Sequence, residues 1–547
     1  MEPMGNRWRA LLVLFVSVSL FSLVNPARSE ELDYLMQLDL FPAEHGLEGS
    51  LKAKVADEVV RGFMHPDLVI DSITNEKGRE VRYEKVDGDL VVYPEGSVEI
   101  IIRFHGEPYD EIRKREMVGQ YTDIFTGNIL RLFTKSQRPM FSISVPRSFT
   151  VLKLMEPVTE VRVEDGESMN CTKPIGGEDP SVEIRGDRAV YIFKTTVSSI
   201  WFISAEYVSS RATEDGIDFR VYLFPEHEGM LNETMDLTQR IIEFYSEKYY
   251  PYPLKEFRVV ETPWEYNTNR ANDRYSTSLI SFGMGELVES LGVELNESVK
   301  NYINVLYTAV HETSHFWFGG LVASEALNEG SAVFSELLFT ESFDPELSIE
   351  LRKYYTHAML NDSDWQSVSF ADAEWSPRTQ WIRYCKGGMI AYMLYHLMGE
   401  DVFDVFHEYF ERYGGVPGVY NKASLEDFTA LVNEKKDMSW FFDEWVYRPG
   451  LPDYGLSNLS VNRKRGGYEL EFDIVQKGDV YTMPIEISAG SSTEEFWVDE
   501  RAERVKMSVE EFPDRIVLDP DYRIPKQSEV SLTLSRMDRL KAICDLY

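Results

Sequence analysis

The chain has 547 residues, 43% hydrophobic and 13% aromatic, enough for several packed cores and, by length, roughly two to four domains. Lys and Arg number 56 against 92 Asp and Glu, a formal net charge of −36. That balance excludes the basic footprint needed to displace counterions from nucleic acid, disfavours docking on anionic lipid, and fits a highly charged exposed surface.

Arg7 and Arg9 precede an apolar run from Ala10 to Val24, followed by Asn25-Pro26 and the small-residue spacing Ala27-Arg28-Ser29. The pattern predicts a secretory signal over residues 1–29, cleaved after Ser29, with an uncleaved anchor as the alternative. The mature protein is then expected outside the cytoplasm, secreted or held at the cell surface. Residues 30–212 read as one β-rich domain, because Asp89–Tyr93, Ser97–Phe104, Ala189–Thr196 and Ile200–Ser209 are rich in Val, Ile, Phe and Tyr between turn residues.

After Phe224 the period changes. Leu237, Ile241, Phe244 and Tyr245 recur at helical spacing, and Pro251 and Pro253 stop that helix. A turn-rich segment follows from Glu261 to Phe282. The next helix is predicted to start near Asn296 or Ser298, to carry Tyr302, Leu306 and Ala309 on one face, and to end at Gly319-Gly320. Further helices are predicted near Glu329–Phe339, Lys386–Leu397 and Val402–Tyr413, so residues 213–450 read as mainly α. Tyr468-Glu-Leu-Glu-Phe-Asp-Ile474 then alternates with period two, and short strands continue to Val517-Leu518. Residues 451–527 read as a small β-sandwich and 528–547 as a tail. The fold class is multidomain α+β.

Cys171, Cys385 and Cys544 define no disulfide framework and cannot form a cysteine cage for zinc; Cys385 reads as a packed helix residue. Sequons at Asn170, Asn232, Asn296, Asn361 and Asn458 are compatible with glycosylation.

The chemistry concentrates at His311-Glu312-Thr313-Ser314-His315. Positions i and i+4 of a helix share a face, so His311 and His315 can offer two neutral imidazoles to one cation, and imidazole suits zinc. Glu312 stands beside them, placed to take a proton from a water that zinc acidifies. This is the H-E-x-x-H logic of zinc peptidases. A catalytic zinc usually takes a third protein ligand. Glu325, Glu329 and Glu336 are candidates, with Glu329 favoured because Leu327-Asn328-Glu329-Gly330 opens the following helix.

The run from His311 to Val322, followed by Leu327-Asn-Glu-Gly-Ser-Ala332, resembles the signature of the M1 (gluzincin) aminopeptidase family. Tyr249-Tyr-Pro-Tyr-Pro-Leu254, Tyr384-Cys-Lys-Gly387 and Phe441-Phe-Asp-Glu-Trp-Val-Tyr-Arg-Pro-Gly-Leu-Pro452 resemble three more of its motifs, in the family's order. The resemblance covers about residues 215 to 455. It implies a thermolysin-like catalytic domain binding one zinc ion through His311, His315 and Glu329. Glu312 would be the general base, and Tyr384 would donate to the oxyanion, where a phenol in a dry site is most effective.

Two departures bear on activity. Thirteen residues, Phe316 to Asn328, separate His315 from Glu329, fewer than the family's spacing; the shortening falls in a connection, where deletions are best tolerated. The family's G-A-M-E-N, whose Glu grips a free α-amino group, is absent, and Asn267-Thr-Asn-Arg-Ala-Asn-Asp-Arg-Tyr-Ser276 stands in its place. Glu265 or Asp273 is a candidate substitute carboxylate there, and Arg270 and Arg274 are candidates for an anionic substrate group. The expected activity is zinc-dependent hydrolysis of a peptide or protein substrate, with no nucleic-acid partner and no membrane contact beyond an uncleaved anchor. The alternatives are the same chemistry as an endopeptidase or a processor of a special N-terminus, and a non-catalytic surface binding protein on the same fold.

Overall fold

The computed structural model describes residues 34–110, 115–118, 121–132, 139–155, 161–162, 168–169, 180–194, 200–262, 271–272, 277–281, 307–324, 327–361, 364–374, 376, 378–414 and 421–535. The signal segment lies outside these residues, as do Cys171, Cys544, Glu325 and the four substrate-loop candidates Glu265, Arg270, Asp273 and Arg274.

The first region is built on strands. Along Tyr34–Phe41, Tyr34, Met36, Leu38 and Leu40 are buried while Gln37 and Asp39 are exposed, the alternation of a half-buried strand. This strand lies in a seven-stranded sheet. The order is Ser181–Arg185, Arg188–Lys194, Pro139–Pro146, Tyr34–Phe41, Gly46–Lys54, Glu99–Gly106 and Leu68–Asn75. Smaller sheets accompany it, including one that holds Asp89–Tyr93, a strand the composition predicts. The buried residues between Tyr34 and Phe202 form one hydrophobic core.

The middle of the chain is not as purely helical as its periodicity suggests. Val208–Glu214, Ile217–Leu223, Glu256–Thr262, Thr277–Ser281 and Ala271–Asn272 form a five-stranded sheet in that order. Glu256–Thr262 runs parallel to both neighbours. Its last four residues are all buried, and a strand covered on both faces loses the period-two signal. Seven helices matter for the site: α1 (Leu231–Lys248), α2 (Tyr307–Ser314), α3 (Asn328–Glu341), α4 (Pro345–Met359), α5 (Gly387–Met398), α6 (Asp401–Tyr413) and α7 (Leu425–Lys435). Helix α1 buries Thr238, Ile241, Ile242 and Tyr245, and Pro251 and Pro253 follow its end.

Helix α2 ends at Ser314, earlier than the glycine pair suggests. The chain tightens there into i→i+3 bonds, with His315 N donating to Glu312 O at 3.3 Å and Phe316 N to Thr313 O at 3.1 Å. The helix predicted from Lys386 begins instead as a π-helical turn, Ile382–Lys386, that runs into α5. Helices α4 and α7 escape the periodicity, yet each has a start signal. Asp344 caps α4, accepting from Leu347 N at 3.0 Å with Pro345 next. Ser424 and Asp427 form a capping box on α7.

After residue 451 come two sheets, one of Tyr454–Lys464, Gly467–Gln476 and Ala502–Val509, the other of Ser492–Val498, Met483–Ala489, Arg515–Leu518 and Val530–Thr533. Their buried residues, Leu470, Phe472, Met483 and Ile485 among them, belong to the same core cluster as those of the helices. Among the described residues no helix is long and apolar enough to cross a membrane.

Candidate metal centre

Helix α2 is held in place by the aromatic motif that follows α1. Tyr245 donates its hydroxyl to Val310 O at 3.1 Å, and the Trp317 indole donates to Tyr250 O at 2.6 Å. Tyr252 packs on Phe316 and Trp317, each 5.7 Å away between ring centres. Tyr249 reaches the next helix, its hydroxyl 2.8 Å from Ser335 Oγ on α3. The Tyr249–Leu254 motif therefore fixes α2 and α3 relative to each other.

On that scaffold the His311 and His315 rings lie 4.9 Å apart, nearly perpendicular at 81°. Glu329, in the first turn of α3, brings Oε2 to 3.3 Å from His311 Nε2 and 3.4 Å from His315 Nε2. One ligand atom from each of the three residues lies within 4.8 Å of the others. The remaining ring nitrogens are occupied. His315 Nδ1 is 3.1 Å from Phe318 O and 3.0 Å from Asn328 Oδ1. A carbonyl oxygen only accepts, so this nitrogen carries a proton, and in the neutral ring it is Nε2 that has a lone pair to offer a metal. His311 Nδ1 lies 2.5 Å from Glu336 Oε1, and the Tyr355 hydroxyl donates to the other oxygen of that carboxylate. Both imidazoles thus turn Nε2 toward Glu329, and two nitrogens plus one carboxylate oxygen make a donor set that fits zinc.

Burial alone would lower both histidines, yet the hydrogen bonds they donate to Glu329, and that His311 donates to Glu336 behind it, raise them above their ordinary value. Burial would raise Glu329, but its bonds to the two imidazoles hold it well below the usual carboxylate range. Glu336, fully buried, is pushed up by desolvation against the pull of His311 and Tyr355. The cluster concentrates negative potential where the Nε2 atoms meet, which favours a cation there.

Glu312 is buried one residue from His311, and its charge acts on His311, His315 and Tyr384. The Tyr384 ring stacks on His311 at 5.9 Å and 16°, and its hydroxyl is hydrogen-bonded to Glu329. Burial first, then the Glu329 charge, pushes the phenol far above its ordinary value, so it remains a donor. Of the candidates for a third ligand, Glu329 converges on the histidines, whereas Glu336 lies behind His311. Asn328, Glu336 and Tyr355 are the supporting residues that sequence reasoning misses or misplaces. Glu336 follows Glu329 by two helical turns, a spacing that could have marked it, but nothing local marks Tyr355.

The peptidase family M1 domain matches residues 233–445, a span that includes every residue of this cluster. Over that span the chain is similar to peptidase family M1. Its relatives include "Probable aminopeptidase 1" of Sulfurisphaera tokodaii, 23% identical over 556 residues, covering 92% of this chain and 65% of that one. The puromycin-sensitive aminopeptidase of Caenorhabditis elegans is 23% identical over 64% of this chain and 37% of its own. Aminopeptidase N of Lactococcus lactis subsp. lactis is 24% identical over 53% and 35%. The chain therefore spans about two thirds of the first of these relatives and little more than a third of the other two.

Proposed function

We propose that this chain is an exported zinc peptidase whose metal is held by His311, His315 and Glu329. The observation that carries the reading is the convergence of both Nε2 atoms on Glu329 Oε2 while both Nδ1 atoms are engaged elsewhere. The relatives' names support a peptide substrate. The Arg7–Ser29 pattern supports export. A thermolysin-like helical unit carries the site in this reading, and the two sheets after residue 451 form a β-sandwich beside it.

Zinc in this donor set would supply a water acidified toward neutral pH and a polarised scissile carbonyl. Glu312 is the residue that would accept a proton from the attacking water and return it to the leaving amine, the task of a general base turned acid. Tyr384 donates to the carbonyl oxygen as it gains negative charge, in a site dry enough to make that bond effective. Glu312→Gln should keep one zinc per chain and lose turnover by about 10²-fold or more, the scale of general acid–base catalysis. Full activity in that variant refutes the mechanism. Chelation should abolish cleavage, and a purified protein with no zinc near stoichiometry would favour a non-catalytic binding role. Cleavage of free but not N-acetylated peptides would make the chain an aminopeptidase; cleavage of both would make it an endopeptidase.

A further inference from the structure

Two of the family motifs, Lys386-Gly387 and Arg448-Pro449-Gly450, have no part in the chemistry above, and the structure joins them. Lys386 is buried, and its ammonium donates to Arg448 O at 3.0 Å and Gly450 O at 3.3 Å. Those carbonyls belong to a turn that is itself anchored. Arg448 Nη1 donates to Val480 O at 2.6 Å, the Tyr481 hydroxyl to Pro449 O at 3.1 Å, and Gly450 N to Trp365 O at 3.0 Å. Gly450 sits at φ +83°, where a side chain would be strained. On the opposite side, Gly387 meets Gly330, the residue after Glu329. A Cβ on Gly387 would lie 3.0 Å from Gly330 Cα and 2.6 Å from the Phe370 ring. The π-helical turn carrying Tyr384 is thus gripped between the first turn of α3 and the 448–450 turn.

We infer that Lys386 is a positioning residue that aims the Tyr384 hydroxyl at the reacting carbonyl by tying the π-turn to the Arg448–Gly450 turn. Stability does not account for a lysine here. A buried ammonium bears a desolvation cost that a methionine of similar volume would avoid, and that cost offsets the two hydrogen bonds it makes to Arg448 O and Gly450 O. What methionine cannot do is bond two carbonyls at once and so set the pitch of a turn one residue longer than an α-turn. The connection between the strands Gly467–Gln476 and Met483–Ala489 takes part in the grip, since its Val480 and Tyr481 hold the far side of the anchor.

The inference rests on the reading of Tyr384 as oxyanion donor, and a double-mutant cycle separates the two. Lys386→Met should lower kcat about tenfold, as expected for a small misplacement of a catalytic group, with KM within about twofold. Zinc content and melting temperature should be kept. Tyr384→Phe should lower kcat at least as much, and the double variant should fall no further than Tyr384→Phe alone. Losses that multiply overturn the inference, as does wild-type kcat in Lys386→Met beside a slow Tyr384→Phe enzyme. Wild-type kcat in Tyr384→Phe overturns the oxyanion reading and this inference with it. Should Lys386→Met fail to fold, Tyr481→Phe loosens the same turn by one hydrogen bond. It should slow the wild type a few-fold and leave the Tyr384→Phe background unchanged; equal losses in both overturn the inference.

Discussion

Glu336→Gln isolates the charge behind His311. Glu336 is 0% exposed, with one oxygen 2.5 Å from His311 Nδ1 and the other accepting from Tyr355. Glutamine keeps the size, and its amide oxygen can still accept from Nδ1, so the change removes the charge and little else. A hydrogen bond to a charged group contributes about 1.5–3 kcal/mol against about 1 kcal/mol for a neutral one, a loss of about 0.5–2 kcal/mol. At about 1.4 kcal/mol per factor of ten, zinc should bind about two- to thirtyfold more weakly. The upper part of that range meets the scale known for partners that orient metal-bound histidines. Competition of the apo-protein with a chromophoric chelator measures the zinc Kd directly, without an activity assay. Tyr355→Phe, which removes only the outer donor, should weaken zinc less. A Glu336→Gln protein with the Kd of the wild type would refute the reasoning, because His311 would then not depend on that carboxylate.

Three further outcomes follow from packing and charge. Gly330→Ala should cost about 1–3 kcal/mol in a urea titration, because its Cβ would lie 2.9 Å from Gly387 backbone atoms that cannot turn aside. Asp519→Ala should cost about 3–5 kcal/mol, read the same way. Asp519 is 2% exposed and 2.6 Å from the buried Lys526 ammonium, which the change would leave without its partner. Burial pushes Lys386 down from 10.5 to about 8. The unfolded chain therefore binds more protons between those values, and stability should rise with pH across that window. The wild type should gain on Lys386→Met there by up to about 3 kcal/mol, at about 1.4 kcal/mol for each pH unit crossed. A difference that stays flat between pH 7.5 and 10 would show that Lys386 titrates normally.

The parts of this protein legible in its sequence are those governed by local spacing. His311 and His315 lie one helical turn apart, so their rings share a face wherever the helix is placed. The alternation in Tyr468–Ile474, and the prolines after α1, act within a few residues and have the expected results. The caps of α4 and α7 were equally local: Asp344-Pro345 and the Ser424/Asp427 box were legible start signals that sequence reasoning passes over.

Tertiary structure decided what depends on residues far apart in the chain. The parallel pairing around Glu256–Thr262 is hidden in sequence because a strand buried on both faces has no alternation, and one partner, Ile217–Leu223, is separated from it by the whole of α1. Among Glu325, Glu329 and Glu336 the sequence favoured Glu329 only by its place at a helix start; it is the fold that sets Glu329 between the Nε2 atoms and Glu336 behind His311. Tyr355 reaches Glu336, and Lys386 reaches the 448–450 turn, only because helices and strands pack in three dimensions. Spacing along one helix thus chose the two histidines, whereas the aim of their rings, the third donor and the grip on Tyr384 come from long-range packing that no local pattern encodes.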